Sequence, residues 1–228
     1  MGVERIRVDK KVLQSNDQIA EANRRRLARL GLTAVNLIAS PGAGKTSLLV
    51  ATLQALRGRL RCCVVEGDLA TSQDADRIAA LEVPVWQINT GGACHLSARQ
   101  VAEAFDRLPL AGNDLVLIEN VGNLVCPTSF DLGEHAKVAL LSMPEGDDKP
   151  SKYPGTFAKA AAVVVTKADL ADHVDFDLDR VERDIHRLNP RCRILVTSAK
   201  SGEGIASWCD FLGEQVMANR TAADRDLP

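Results

Sequence analysis

No run in this chain approaches the ~20 consecutive apolar residues of a membrane helix, so a protein without a membrane partner is expected. Nor is there an excess of charge of one sign. The 28 basic and 30 acidic side chains leave a net charge of −2, which gives no electrostatic footprint for nucleic acid or a lipid surface. The opening residues, MGVERIRVDKK, lack the apolar stretch of a secretory signal. A cytoplasmic protein is therefore expected, with its six cysteines reduced and serving as metal ligands or core residues rather than disulfides. Internal repeats are also absent. At 228 residues, 46% of them apolar, the chain suits one large α/β domain and is too short for two comfortable ones.

What is present is an alternation of apolar strands with helical segments. Ser15 and Gln18 fit a capping box for a helix over 16–30, with Ile19, Ala22, Leu27 and Leu30 roughly in phase and Gly31 as its stop. Strands are expected at Ala34–Ala39, Cys62–Glu66, Val83–Ile88, Asp114–Glu119, Ala136–Met143, Ala162–Thr166 and Arg193–Thr197. Helices are expected near 45–57, 73–81, 96–107, 155–160, 177–188 and 204–217. Runs such as LVLIE and AAVVVT are apolar on both faces, as in a parallel sheet covered by helices. The fold predicted is doubly wound α/β with a mostly parallel sheet. An N-terminal segment and helix (1–31) would precede the main domain (32–219), and a disordered polar tail (220–228) would follow it. The stretch PEGDDKPSKYP (144–154) reads as a loop and a candidate switch or interface.

Directly after the first strand comes ASPGAGKTSLL, close to the phosphate-binding pattern G-x-x-x-x-G-K-[ST]. Its first glycine is replaced by Ala39. Backbone amides around Gly42, Ala43, Gly44 and Ser47 can wrap phosphate oxygens at a helix N-terminus. Lys45 reaches the β/γ-phosphates, and Thr46 offers its hydroxyl to Mg²⁺.

The base is read at the other end. Thr166-Lys167-Ala168-Asp169 matches a guanine-reading N/T-K-x-D pattern: Asp169 can accept from both guanine donors, and the stem of Lys167 can cover the ring. Alone it equally suits ordinary surface residues. Ser198-Ala199-Lys200 after the next strand, where a backbone amide can bind guanine O6, favours GTP over ATP. Acidic residues end two further strands. Asp68, in Glu66-Gly67-Asp68, and Glu119, in Glu119-Asn120-Val121-Gly122, are candidates for holding Mg²⁺ or positioning water. Glu119 stands where an Asp is usual, and both carboxylates also suit plain helix caps.

Cys94-His95 follows the third strand and Cys126 the fourth. Thiolate and imidazole suit Zn²⁺ or Ni²⁺, but three ligands leave a tetrahedral site open to water or a second subunit. Burial as small core residues is the competing reading. Cys62, Cys63, Cys192 and Cys209 read as core, and His135, His173 and His186 as surface or packing residues.

Taken in order, SPGAGKTSLL, EGDLATSQDADRI, GGACHL, IENVGNLVCP, EGDDKPSKYP, TKADL and SAKSGEG resemble the nickel-incorporation GTPases of hydrogenase maturation, the HypB family, over roughly residues 10–217. The resemblance implies a SIMIBI-class P-loop GTPase that forms a GTP-dependent homodimer. It implies Ni²⁺ or Zn²⁺ held at the interface by Cys94, His95 and Cys126, and a Lys152 that reaches the partner's nucleotide. It further implies a small nickel metallochaperone and the hydrogenase large subunit as partners. Lys45, Asp68, Glu119 and Lys152 are the catalytic candidates. Two features depart from the family: no Cys-rich or His-rich N-terminal nickel motif is present, and Ser97 stands where an acidic residue is common. The competing readings are a urease-accessory or mutase-chaperone GTPase, and a nucleotide-gated interaction protein with a structural zinc.

Overall fold

The computed structural model describes residues 6–68 and 73–225, with the side chains of 6–11, 68, 73–74 and 223–225 outside that description. Helix α1 spans Ile6–Arg29, ten residues longer at its start than the capping box predicts. Ser15 lies inside it, because no glycine or proline interrupts the chain between Val3 and Leu30. Gly31 ends it at a φ of 62°, as expected.

The remaining elements alternate as the pattern requires: β1 Thr33–Ala39, α2 Lys45–Leu56, β2 Cys62–Asp68, α3 Gln73–Ala79, β3 Val85–Asn89, α4 Ala98–Arg107 and β4 Leu115–Glu119. They continue with β5 Ala136–Ser142, α5 Lys149–Lys152, α6 Pro154–Lys159, β6 Ala162–Thr166, α7 Leu178–Leu188, β7 Arg193–Val196 and α8 Ile205–Arg225. The stretch 144–154 is not a plain loop. Pro150 is buried at the start of the one-turn helix α5, where a missing N–H costs nothing. The last helix runs through 220–225, which corrects that part of the disordered tail expected over 220–228; residues 226–228 lie outside the described residues. Arg220 pairs with Asp114 at 2.6 Å, and the neighbouring Asn219 donates to Thr33 Oγ1 at 3.1 Å.

The seven strands form one sheet in the order β3-β2-β4-β1-β5-β6-β7, every pairing parallel. Side chains alternate across it. Val35 and Leu37 of β1 join α2 and α8 in one core, where Trp208 packs and donates its indole N–H to Thr52 Oγ1 at 2.8 Å. Ala34 joins Leu27, Val101 and Phe105 on the other face, under α1 and α4. α6 and α7 cover β5 and β6 in a third cluster that includes Phe157 and Ile185. Loops leaving the C-terminal ends of the strands share one edge of the sheet, the place where open α/β sheets take ligands.

Candidate nucleotide and metal sites

The turn from β1 into α2 owes its shape to two glycines in left-handed conformation, Gly42 at φ 77° and Gly44 at φ 88°. A side chain at either position would strain the backbone. Ala39 is tolerated in place of the usual first glycine because it is still strand, fully buried, and not among the residues with positive φ. Lys45 and Thr46 open α2. Thr46, buried, donates its hydroxyl to the Glu119 carboxylate at 3.0 Å. Register sets Glu66 of β2 beside Glu119 of β4, and both are buried. Two adjacent carboxylates beside a hydroxyl form a donor set suited to a hard divalent cation. Glu66 was not singled out from sequence. The Asp68 side chain lies outside the described residues.

The base-reading segments close over the same turn. Thr166 Oγ1 donates to the Ala43 carbonyl and Lys167 Nζ to the Gly42 carbonyl, both at 2.7 Å. Lys167 holds a left-handed backbone, φ 60°, one of two such non-glycine residues among those described. Strain of this kind persists only where surroundings enforce it, and here it aims the lysine over the phosphate turn. Ser198 donates to Asp169 at 2.5 Å. This bond, aided by Lys200 and Lys167, holds the Asp169 carboxyl below the ordinary carboxylate range. A cleft of about 330 Å³ gathers Gly44, Ser47, Lys167, Asp169, Ala199 and Lys200. It also takes in Arg77 of α3, which no sequence signal marked. Lys152 is not among the cleft residues; it is exposed and pairs with Asp148 at 2.5 Å.

Beside this region the ligand atoms of Cys94, His95 and Cys126 lie within 4.8 Å of one another, with Cys94 Sγ 3.4 Å from His95 Nδ1. A tetrahedral ion with bonds of ~2.0–2.3 Å sets its ligands about 3.3–3.8 Å apart, so only a small contraction would close the triad on a metal. The Cys126 sulfur, with some burial, raises the Cys94 thiol above its usual value. Burial lowers His95, whose ring lies 3.9 Å from that of Phe130. Cys94 is exposed and Cys126 half-buried. The other four cysteines are buried, as expected, and burial pushes the Cys62 and Cys63 thiols up to about 12. Ser97, the departure noted in the sequence, caps α4 in a box with Gln100.

Asparagines hold the metal loops, and sequence reasoning missed them. Asn16 of α1 accepts from the Ala98 amide at 2.9 Å and donates to the Asp131 carbonyl at 2.7 Å. Asn23, two turns on, donates to the carbonyls of Ala98 and Leu132 at 2.9 and 3.0 Å. Both therefore bridge the segment after His95 to the segment after Cys126. His135 also has a partner, its Nδ1 accepting from the Ala34 amide at 3.0 Å.

Residues 33–196 match the family model for the CobW/HypB/UreG nucleotide-binding domain. The chain is 47% identical to the hydrogenase maturation factor HypB of Escherichia coli over 213 residues, 93% of this chain and 73% of that protein. Its fold matches HypB from Helicobacter pylori, solved in complex with nickel, at a TM-score of 0.86 and 41% identity, covering 90% of this chain and 97% of that one. HypB from Archaeoglobus fulgidus matches at 0.84 and 36% identity, covering 90% and 100%.

Proposed function

We propose, from the premise that the chain belongs to the HypB family of P-loop GTPases, that it hydrolyses GTP to GDP and phosphate to drive nickel insertion into the hydrogenase large subunit. The observation that carries this reading is the convergence of Cys94, His95 and Cys126, the first two on the loop after β3 and the third on the loop after β4, the strand that ends in Glu119. A generic GTPase has no use for such a triad.

The nucleotide would lie with its phosphates over Gly42–Ser47 and its base against Asp169, whose carboxylate accepts the two donors on the guanine edge. Lys45 steadies the charge that gathers on the transferring phosphoryl group. Thr46 and Glu119, with Asp68 from β2, would hold Mg²⁺, which neutralises phosphate charge when bound. Water attacks the γ-phosphorus, the bond to the bridging oxygen breaks, and GDP leaves with inorganic phosphate.

Nickel is cargo rather than a resident group. The three donors leave a coordination position for water or a second subunit, and Val125 beside Cys126 is 60% exposed, an apolar side chain suited to burial in a homodimer. Lys152, exposed and paired with Asp148, would exchange that partner for the other subunit's nucleotide. A small nickel metallochaperone would load the site.

The test is nickel affinity measured by equilibrium dialysis with GDP and with a non-hydrolysable GTP analogue, alongside phosphate release from GTP. Nucleotide-dependent nickel affinity together with GTP turnover supports the reading. A site that takes zinc, resists nickel and ignores the nucleotide refutes it in favour of a structural metal.

A further inference from the structure

We propose that Asn120 is the positioning residue through which the nucleotide site and the metal site respond together, because it ties the Cys94–His95 loop to the end of β4. This rests on the reading of Cys94, His95 and Cys126 as a nucleotide-regulated nickel site.

Asn120 is 1% exposed and directly follows Glu119. Its Oδ1 accepts from two backbone amides, Leu96 and Val121, each at 3.0 Å. Its Nδ2 donates to Asn36 Oδ1 at 3.2 Å, and its own amide donates to the Leu37 carbonyl at 3.1 Å. Leu96 is the residue after His95, and Val121 starts the segment that reaches Cys126 five residues later. One amide oxygen thus holds both metal-bearing segments.

The orientation of that amide follows from the chemistry of its neighbours. Asn36 Nδ2 donates to Glu134 Oε1 at 3.2 Å, an oxygen that also accepts from Lys137. An ionised carboxylate only accepts, so Asn36 must present its NH₂ to Glu134 and its oxygen to Asn120. Asn120 must then turn its NH₂ toward Asn36, which aims its oxygen at the amides of Leu96 and Val121. A buried polar chain satisfied at every link has one arrangement of low energy.

On the nucleotide side, Thr46 donates to Glu119, the residue before Asn120. A shift of Glu119 when the phosphates change moves Asn120. Through Leu96 it carries His95 along with Cys126. Without the side chain, Cys126 still follows the strand end through the backbone, while the His95 segment, still bridged through α1 by Asn16 and Asn23, loses its tie to the end of β4. Coupling between sites needs a physical element that both bias, and Asn120 is that element here.

The experiment measures Ni²⁺ affinity of the full chain and of Asn120→Ala, each with GDP and with a non-hydrolysable GTP analogue, and GTP affinity in parallel. The wild-type ratio of the two nickel affinities should lie in the ordinary range of coupling, ~5–150-fold. In Asn120→Ala it should fall to within about twofold of unity, a scale set by that loss of coupling, with nickel still bound and GTP affinity retained. A preserved ratio, or an equal loss of nickel affinity in both nucleotide states, overturns the proposal. Asn120→Ala leaves two buried amides without an acceptor, so a second readout uses the wild type alone. Hydrogen exchange at the Leu96 and Val121 amides should change together between nucleotide states, and a change at Val121 with none at Leu96 overturns it equally. Cys94→Ala/Cys126→Ala is the control for the underlying reading: wild-type nickel affinity in that variant refutes the metal site itself, whatever Asn120→Ala does.

Discussion

Ser198 donates its hydroxyl to Asp169 at 2.5 Å while its oxygen accepts from the amides of Lys200 and Ser201. The hydroxyl is thereby locked, and it aims the carboxylate into the cleft. Leaving guanine donors unpaired costs several kcal/mol, so GTP should be preferred over ATP by ~10³-fold or more in competition binding. Asp169→Asn should shift preference toward xanthine nucleotides. The ionised carboxylate is the reading form, and its pKa is lowered in the folded chain by Ser198. The preference for GTP over ATP, a ratio in which protonation of the phosphates cancels, should therefore persist as pH falls into the ordinary carboxylate range; its loss at higher pH would show that Ser198 does not hold the carboxylate.

Turnover should be slow. Lys45 and the Thr46–Glu119 pair supply charge stabilisation, and the phosphate-binding run SPGAGKTS holds no arginine or glutamine to add to it. Phosphate release in the range of unassisted GTPases, well below ~1 s⁻¹, is expected. Lys45→Ala should abolish it while circular dichroism is unchanged. A fast isolated monomer would contradict this.

Nickel affinity should rise with pH. The Cys94 thiol lies above its usual value through Cys126, so it is protonated near neutrality and must release that proton to bind. His95, lowered by burial, is already neutral at pH 7. The logarithm of the binding constant should climb with a slope of at least about 1 per pH unit from 6.5 to 8. A flat titration would mean the thiols are not ligands.

Gly122 lies against the phosphate turn: a Cβ there would meet Pro41 backbone and ring atoms at 3.0 Å. Gly122→Ala should push the turn off its geometry and weaken GTP binding by about tenfold, the scale of a 1.4 kcal/mol misfit. Melting should shift little. Calorimetry of GTP binding decides, since an unchanged constant would show the contact to be slack.

Much of this was legible in sequence because its signals are local. The Gly42–Thr46 turn, the TKAD segment and the strand runs each declare themselves within a few residues. The packing face of α1 was not, because its buried stripe is Asn16, Ala20, Asn23 and Leu27. Two of those four are polar, so apolar periodicity pointed instead to Ala22, which is exposed, and Leu30, 39% exposed. The same blindness hid Asn36 and Asn120. Each of these four buried asparagines has a partner 84 or more residues away, which no window along the chain contains. The helical 220–225 segment was missed because it looks polar, whereas its anchor is Asp114 at the foot of β4.

The distribution of the six thiols makes the protein its own indicator. Cys62, Cys63, Cys192 and Cys209 are buried, and burial pushes all four thiols up to about 11 or 12, so as thiols they stay silent toward alkylating reagents at neutral pH. Cys94, exposed, and Cys126, half-buried, are left to react. Counting alkylated sulfurs by mass would then report occupancy of the triad directly, without a probe attached to the chain, at every stage of the nucleotide cycle.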